Sequence, residues 1–196
     1  AIVIALACKN LPEKQRKLGI FYGALGAIVL RVIMVFFATT LLMISGLKII
    51  GGLLLFWIAV KLILDSDRTN TININQEKNL FSAIKTIIIA DFVMSLDNSV
   101  AIAAVANGNM YLVVFGLLLS IPIIIWGSSL ILKFIDRYPI IIYLGSALLG
   151  WIAGDMIQTD ILIQSNFDSI ENNILFPIIG SVFVLISSFL FKSLNK

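Results

Sequence analysis

The chain has 196 residues, 60% of them hydrophobic and 13% charged, with a mean hydropathy of +1.05. That balance excludes a water-soluble domain and, with apolar runs long enough to cross a bilayer, describes a polytopic membrane protein. The net charge of +3, the lack of histidine and the single cysteine, Cys8, argue against a nucleic-acid module and an internal disulfide, and leave oxygen as the ligand atom of any metal site.

Ala1 to Ala7 is apolar but too short to span a core that needs about twenty residues, so it reads as the second half of a helix. Lys9 to Lys17 is basic, with Asn10-Leu11-Pro12-Glu13 as a turn and helix start. Leu18 to Ile44 is the next span, interrupted only by Arg31, and Ser45-Gly46 links it to the span Leu47 to Leu64, which has Lys48 at one end and Lys61 at the other. Asp65 to Asn79 is a polar loop containing Arg68 and Lys78. Leu80 to Ala106 spans and ends at Asn107-Gly108-Asn109. Tyr111 to Leu132 carries Pro122 as an expected kink, and Lys133 to Pro139 is a charged turn. Ile140 to Ile157 spans, Gln158 to Asn173 is a polar acidic loop, and Ile174 to Phe191 spans before Lys192 and Lys196.

Basic residues in short loops set orientation. One side receives Lys9, Lys14, Arg16, Lys17, Arg68, Lys78, Lys133, Arg137, Lys192 and Lys196; the other has Lys48 and the acids Asp160, Asp168 and Glu171. The asymmetry puts the C-terminus in the cytoplasm and the N-terminus outside.

An internal repeat organises these spans. Residues 51–63 align with 145–157 at an offset of 94, matching Gly51, Leu54, Leu55, Trp57, Ile58, Ala59 and Ile63. Ala1 to Ala7 lines up with Ser99 to Val105. Each copy holds three helices, and an odd number forces the copies into opposite orientations, the inverted-repeat plan of many secondary transporters. The expected fold is therefore all-α: one transmembrane bundle over 1–196, with repeats at about 1–64 and 80–157 and a seventh helix at about 174–191. In the alignment Lys61 stands opposite Asp155, which suggests a buried pair.

The chemistry centres on Asp91 to Ser99. A charge at bilayer depth costs a few kcal/mol and marks an ion or proton path, and Asp91 and Asp97 both lie inside a predominantly apolar run. At about 100° per residue, Asp91, Ser95 and Asn98 share a face, while Asp97 points about 120° away. Either the helix unwinds near Ser95 to Asn98, or the two acids serve successive stations. Carboxylate and amide oxygens suit hard divalent cations such as Mn²⁺, Mg²⁺ or Ca²⁺. Arg31 reads as the counter-ion to Asp91 or Asp97 when no ion is bound, and Gly19, Gly23, Ala24, Gly26 and Ala27 permit close helix contact.

Ser95-Leu96-Asp97-Asn98 before an alanine-rich helix, the segment Ala1 to Lys17, and Gly150-Trp151-Ile152-Ala153-Gly154-Asp155 together resemble the TerC family of integral membrane proteins, in its shorter YjbE-like branch. The resemblance implies a manganese exporter, with an acid followed six positions later by Asp-Asn in each repeat; here the second copy is Asp91, Asp97 and Asn98. The sequence reading is thus a multi-pass bacterial inner-membrane transporter, not an enzyme. Its substrate is a divalent cation, most simply Mn²⁺ moved outward and held by Asp91, Asp97 and Asn98, with Arg31, Lys61 and Asp155 balancing charge. Lipid is its surrounding partner, no organic cofactor is called for, and homo-oligomerisation is left open. The competing readings are a membrane scaffold whose acids only pack helices, and an intramembrane aspartyl protease. The protease is disfavoured because Ile152 stands where a Gly-x-Gly-Asp motif needs glycine.

Overall fold

A computed structural model of the chain describes residues 1–67, 80–105, 110–166 and 174–194. Arg68, Lys78, the Asn107-Gly108-Asn109 turn, Asp168, Glu171 and Lys196 lie outside the described residues. Within them the chain is entirely helical: α1 (Ile2–Cys8), α2 (Glu13–Leu42), α3 (Leu47–Asp67), α4 (Leu80–Val105), α5 (Met110–Arg137), α6 (Ile140–Gln158), α7 (Ile161–Asn166) and α8 (Leu175–Leu194). Stretches of α2, α3, α5 and α6 are long and apolar enough to cross a membrane, and Leu175–Leu190 is a shorter apolar helix.

Several helices overrun the apolar runs that announce them. α2 begins at Glu13, at the expected turn and helix start and ahead of the apolar run from Leu18, and α5 continues through Pro122 to Arg137. Hydropathy marks the thickness of hydrocarbon, whereas the backbone stays helical into the headgroup region to keep its N–H and C=O groups paired. The acidic stretch after Gln158, expected as loop, contains the short helix α7.

The chain divides into two compact units. Residues 1–43 and 72–138 form the first, which holds α1, α2, α4 and α5. Helices in lipid gain little from burying apolar surface against each other, so small residues that allow close backbone approach decide where they meet. A β-carbon on Gly23 would lie 2.7 Å from Ile87 Cδ1, and one on Gly26 would lie 2.9 Å from Ile88 Cδ1, so these glycines seat α4 against α2. Ile28 and Val35 of α2 meet Val113 and Leu117 of α5, with Val32, Ile102 and Ile121 packed around them. At one end Arg16 donates to the Lys9 carbonyl (2.8 Å) and faces Asp136 of α5 (3.6 Å), which sets the start of α2 beside the end of α5.

Residues 44–71 and 139–196 form the second unit, with α3, α6, α7 and α8. Of the aligned positions, Leu55 and Leu149 are buried, as are Ala59 and Ala153, and Trp57 and Trp151 are both exposed, whereas Ile58 and Ile63 are buried and Ile152 and Ile157 only partly so. The start of α3 lies against the end of α6, since a β-carbon on Gly52 would sit 2.7 Å from the Ala153 carbonyl oxygen. α6 and α8 touch backbone to backbone at Gly150 and Gly180, and Ser181 Oγ donates to the Ala147 carbonyl (2.9 Å). Large apolar side chains such as Phe36, Phe115, Trp126, Ile179 and Phe189 are exposed, as expected of surfaces covered by lipid rather than water.

Candidate cation site

The polar centre is built on the first unit. α4 runs unbroken from Leu80 to Val105, so the helix does not unwind at Ser95 to Asn98. Asp91, Ser95 and Ser99 follow at four-residue spacing and stack on one face. Ser95 and Ser99 are fully buried. Ser99 Oγ donates to the Ser95 carbonyl at 2.5 Å, which satisfies that hydroxyl inside the helix.

Arg31 reaches this face from α2. Its Nη2 donates to Asp91 Oδ1 at 2.7 Å, and its Nε donates to Ser95 Oγ at 3.1 Å. Ser95 Oγ in turn donates to Asp91 Oδ2 at 3.2 Å. The guanidinium thus holds a carboxylate and a hydroxyl at once from two different nitrogens, a rigid fork that lysine, with all its donors on one nitrogen, does not offer. Both ionic side chains are 22% exposed, so the pair is neither sealed nor freely hydrated. Truncating one partner of such a pair would strand the other charge, which is costly.

The remaining sequence-derived site residues are arranged differently. Asn98 is exposed, and its Nδ2 donates to the Met94 carbonyl at 2.9 Å. The backbone of Asp97 stands in α4, about 9 Å along the axis from Asp91 and about 120° around it by helical register, while its side chain lies outside the described residues. Lys61 and Asp155 are not joined. Lys61 lies over the Trp57 ring, 5.1 Å from its centroid, and Asp155 is exposed. The amine finds a cation–π partner one turn back on its own helix, so the expected pair is corrected to a local contact. Among the described residues no group of three or more His, Cys, Asp or Glu converges. Among the described side chains, the Asp91 carboxylate and the Ser95 hydroxyl are the oxygens that stand together on this face of α4.

A second acid works structurally. Asp160, 1% exposed, accepts from the backbone N–H of Gly46 (2.9 Å), Lys48 (3.1 Å), Ile49 (3.4 Å) and Leu162 (2.9 Å). It therefore caps the first turns of both α3 and α7. From sequence Asp160 belongs to a polar acidic loop; the local signal for its role is an Asp just before α7, at a position that favours N-capping.

The model of the TerC family, described as an integral membrane protein family, matches residues 1–196. The chain belongs to the TerC family. It is 37% identical over 199 residues to the uncharacterized membrane protein YjbE of Bacillus subtilis, covering 100% of this chain and 89% of that protein. It is also 27% identical to YceF and 24% identical to YkoY of the same organism, both described as uncharacterized membrane proteins. Each of these alignments covers 78% of this chain, and they span 62% and 52% of those proteins. No solved structure matches. Family membership and the apolar helices together make this a multi-pass membrane protein.

Proposed function

We infer that this TerC family protein is a transporter of divalent metal cations in the bacterial inner membrane, exporting Mn²⁺, with Asp91 and, further along the unbroken α4, Asp97 and Asn98 as successive stations that bind the ion. The observation that carries the reading is the Arg31–Asp91–Ser95 cluster, an ion pair with hydroxyl support set among apolar membrane helices. A carboxylate kept at such depth with a counter-charge close by is how a cation path is held when no ion is present. Oxygen ligands without His or Cys favour Mn²⁺, Mg²⁺ or Ca²⁺ over softer metals.

The inverted repeat belongs to the same proposal, and the packing supports it. Equivalent helices run antiparallel within each unit: the start of α2 meets the end of α5 through Arg16 and Asp136, and the start of α3 meets the end of α6 at Gly52 and Ala153. That is the relation an inverted repeat requires. With the C-terminus in the cytoplasm, the basic ends Lys14 to Lys17 and Lys133 to Arg137 lie inside.

Manganese content of cells expressing the protein tests the reading. Expression should lower cellular manganese several-fold in manganese-loaded cells, and Asp91→Asn or Asp97→Asn at equal membrane abundance should abolish the effect. Unchanged export by both variants would leave the acids as helix-packing groups. That outcome would favour the scaffold reading, which draws on the same hydrogen-bonded cluster.

A further inference from the structure

We propose that Arg31 is a tethered occupant of the cation site, so that the guanidinium and the substrate ion hold the same oxygens in turn, with Ser95 acting as a ligand beside Asp91. The inference rests on the cation-transport reading and adds to it how the site exchanges its occupants.

Arg31 Nη2 takes Asp91 Oδ1 at 2.7 Å and Nε takes Ser95 Oγ at 3.1 Å. The second carboxylate oxygen stands 3.2 Å from Ser95 Oγ, close enough for one ion to touch both residues. A divalent cation placed on these oxygens would sit within a few ångströms of the guanidinium, where like charges repel strongly in a poorly hydrated setting. Ion and guanidinium are therefore mutually exclusive ligands.

The surroundings allow Arg31 to leave. The rigid half of the cluster is on α4, where Ser95 and Ser99 are fully buried and tied to their own helix. The movable half is the long, flexible side chain of Arg31, which is 22% exposed, as is Asp91. Ser95 is the pivot of this exchange: it donates to Asp91 and accepts from Arg31, so withdrawal of the guanidinium frees a hydroxyl lone pair on the same face as the freed carboxylate oxygen. The empty site remains charge-balanced, which a pair of unpartnered acids would not be.

The test uses the purified protein in detergent micelles, with Mn²⁺ as the probe. Binding is followed by calorimetry, and exposure of Arg31 by phenylglyoxal modification read by mass spectrometry. Saturating Mn²⁺ should raise modification of Arg31 several-fold and leave Arg16, at the far end of α2, unchanged. In Asp91→Asn, Mn²⁺ should neither bind nor alter labelling. Arg31→Gln removes the competitor; if the guanidinium occupies the site about nine-tenths of the time, apparent Mn²⁺ affinity should rise about tenfold. In that background Ser95→Ala should reverse part of the gain. If Arg31→Gln does not fold, the labelling of the unaltered protein still decides. Mn²⁺ binding that requires Asp91 but leaves Arg31 labelling unchanged or lower would overturn the exchange and spare the transport reading. Absence of Mn²⁺ binding altogether would sink both.

Discussion

Asp91 and Asp160 are both carboxylates largely withdrawn from water, and each is held by a different kind of donor. Asp91 faces a guanidinium, a partner that can be exchanged; Asp160 faces backbone N–H groups, which cannot leave without unwinding a helix. The first arrangement suits a binding site and the second a clamp. Asp160→Ala should therefore destabilise the protein by about 2–3 kcal/mol, the combined scale of two lost helix caps and several stranded donors. Asp160→Asn, which keeps one acceptor oxygen, should cost about half of that. Thermal unfolding in detergent checks the order, and a melting temperature unchanged in Asp160→Ala would show that the cap contributes nothing. These residues also differ in how far sequence could read them. Asp91 stands out because the run around it is apolar. Asp160 sits in a polar stretch, and its partners at Gly46 to Ile49 lie 111–114 positions away, beyond any local pattern.

At the scale of elements, hydropathy located the long helices and missed what joins them. The runs beginning at Leu47, Leu80 and Ile140 start helices at those same residues. Only α7 was absent from the sequence reading, because six residues are too few to show a period and its first turn depends on the Asp160 cap. The glycines of α2 were legible as packing sites, and Gly23 and Gly26 do face α4. Glycines are not equal, however. A β-carbon on Gly150 would lie 2.6 Å from the Gly180 carbonyl oxygen, against backbone that cannot rotate aside, whereas one on Gly116 meets nothing within 4 Å. Gly150→Ala and Gly180→Ala should each cost about 1–3 kcal/mol by forcing α6 and α8 apart. Gly116→Ala should be neutral or mildly stabilising, by no more than about 1 kcal/mol. Chemical unfolding followed by circular dichroism separates the two classes; equal losses at all three positions would mean that the α6–α8 contact is not where the packing is tightest.

For the whole molecule, the two compact units cut across the proposed repeats. Under that proposal α1 to α3 are one copy and α4 to α6 the other, yet the first unit takes α1, α2, α4 and α5 while the second takes α3 and α6 with α7 and α8. Each unit thus receives equivalent helices from both copies, paired head to tail, and neither copy has a core of its own. An arrangement of this kind commits the chain to one orientation, because reversing any single span would separate contacts such as Arg16 with Asp136 or Gly52 with Ala153. The charge asymmetry predicts which way the spans face. Lys17, whose side chain is 80% exposed, should lie on the cytoplasmic side, whereas the exposed Ser45 past the end of α2 and the exposed Tyr111 at the start of α5 should lie outside. α2 has 30 residues, about 45 Å at 1.5 Å per residue, enough to cross a core of about 30 Å once. In a Cys8→Ser background, a membrane-impermeant maleimide added to intact spheroplasts should label Ser45→Cys and Tyr111→Cys, and should reach Lys17→Cys only after permeabilisation. The reverse pattern would invert the topology and with it the direction of transport. Labelling of Ser45→Cys and Tyr111→Cys from opposite sides would break the antiparallel relation between α2 and α5 and remove the inverted repeat.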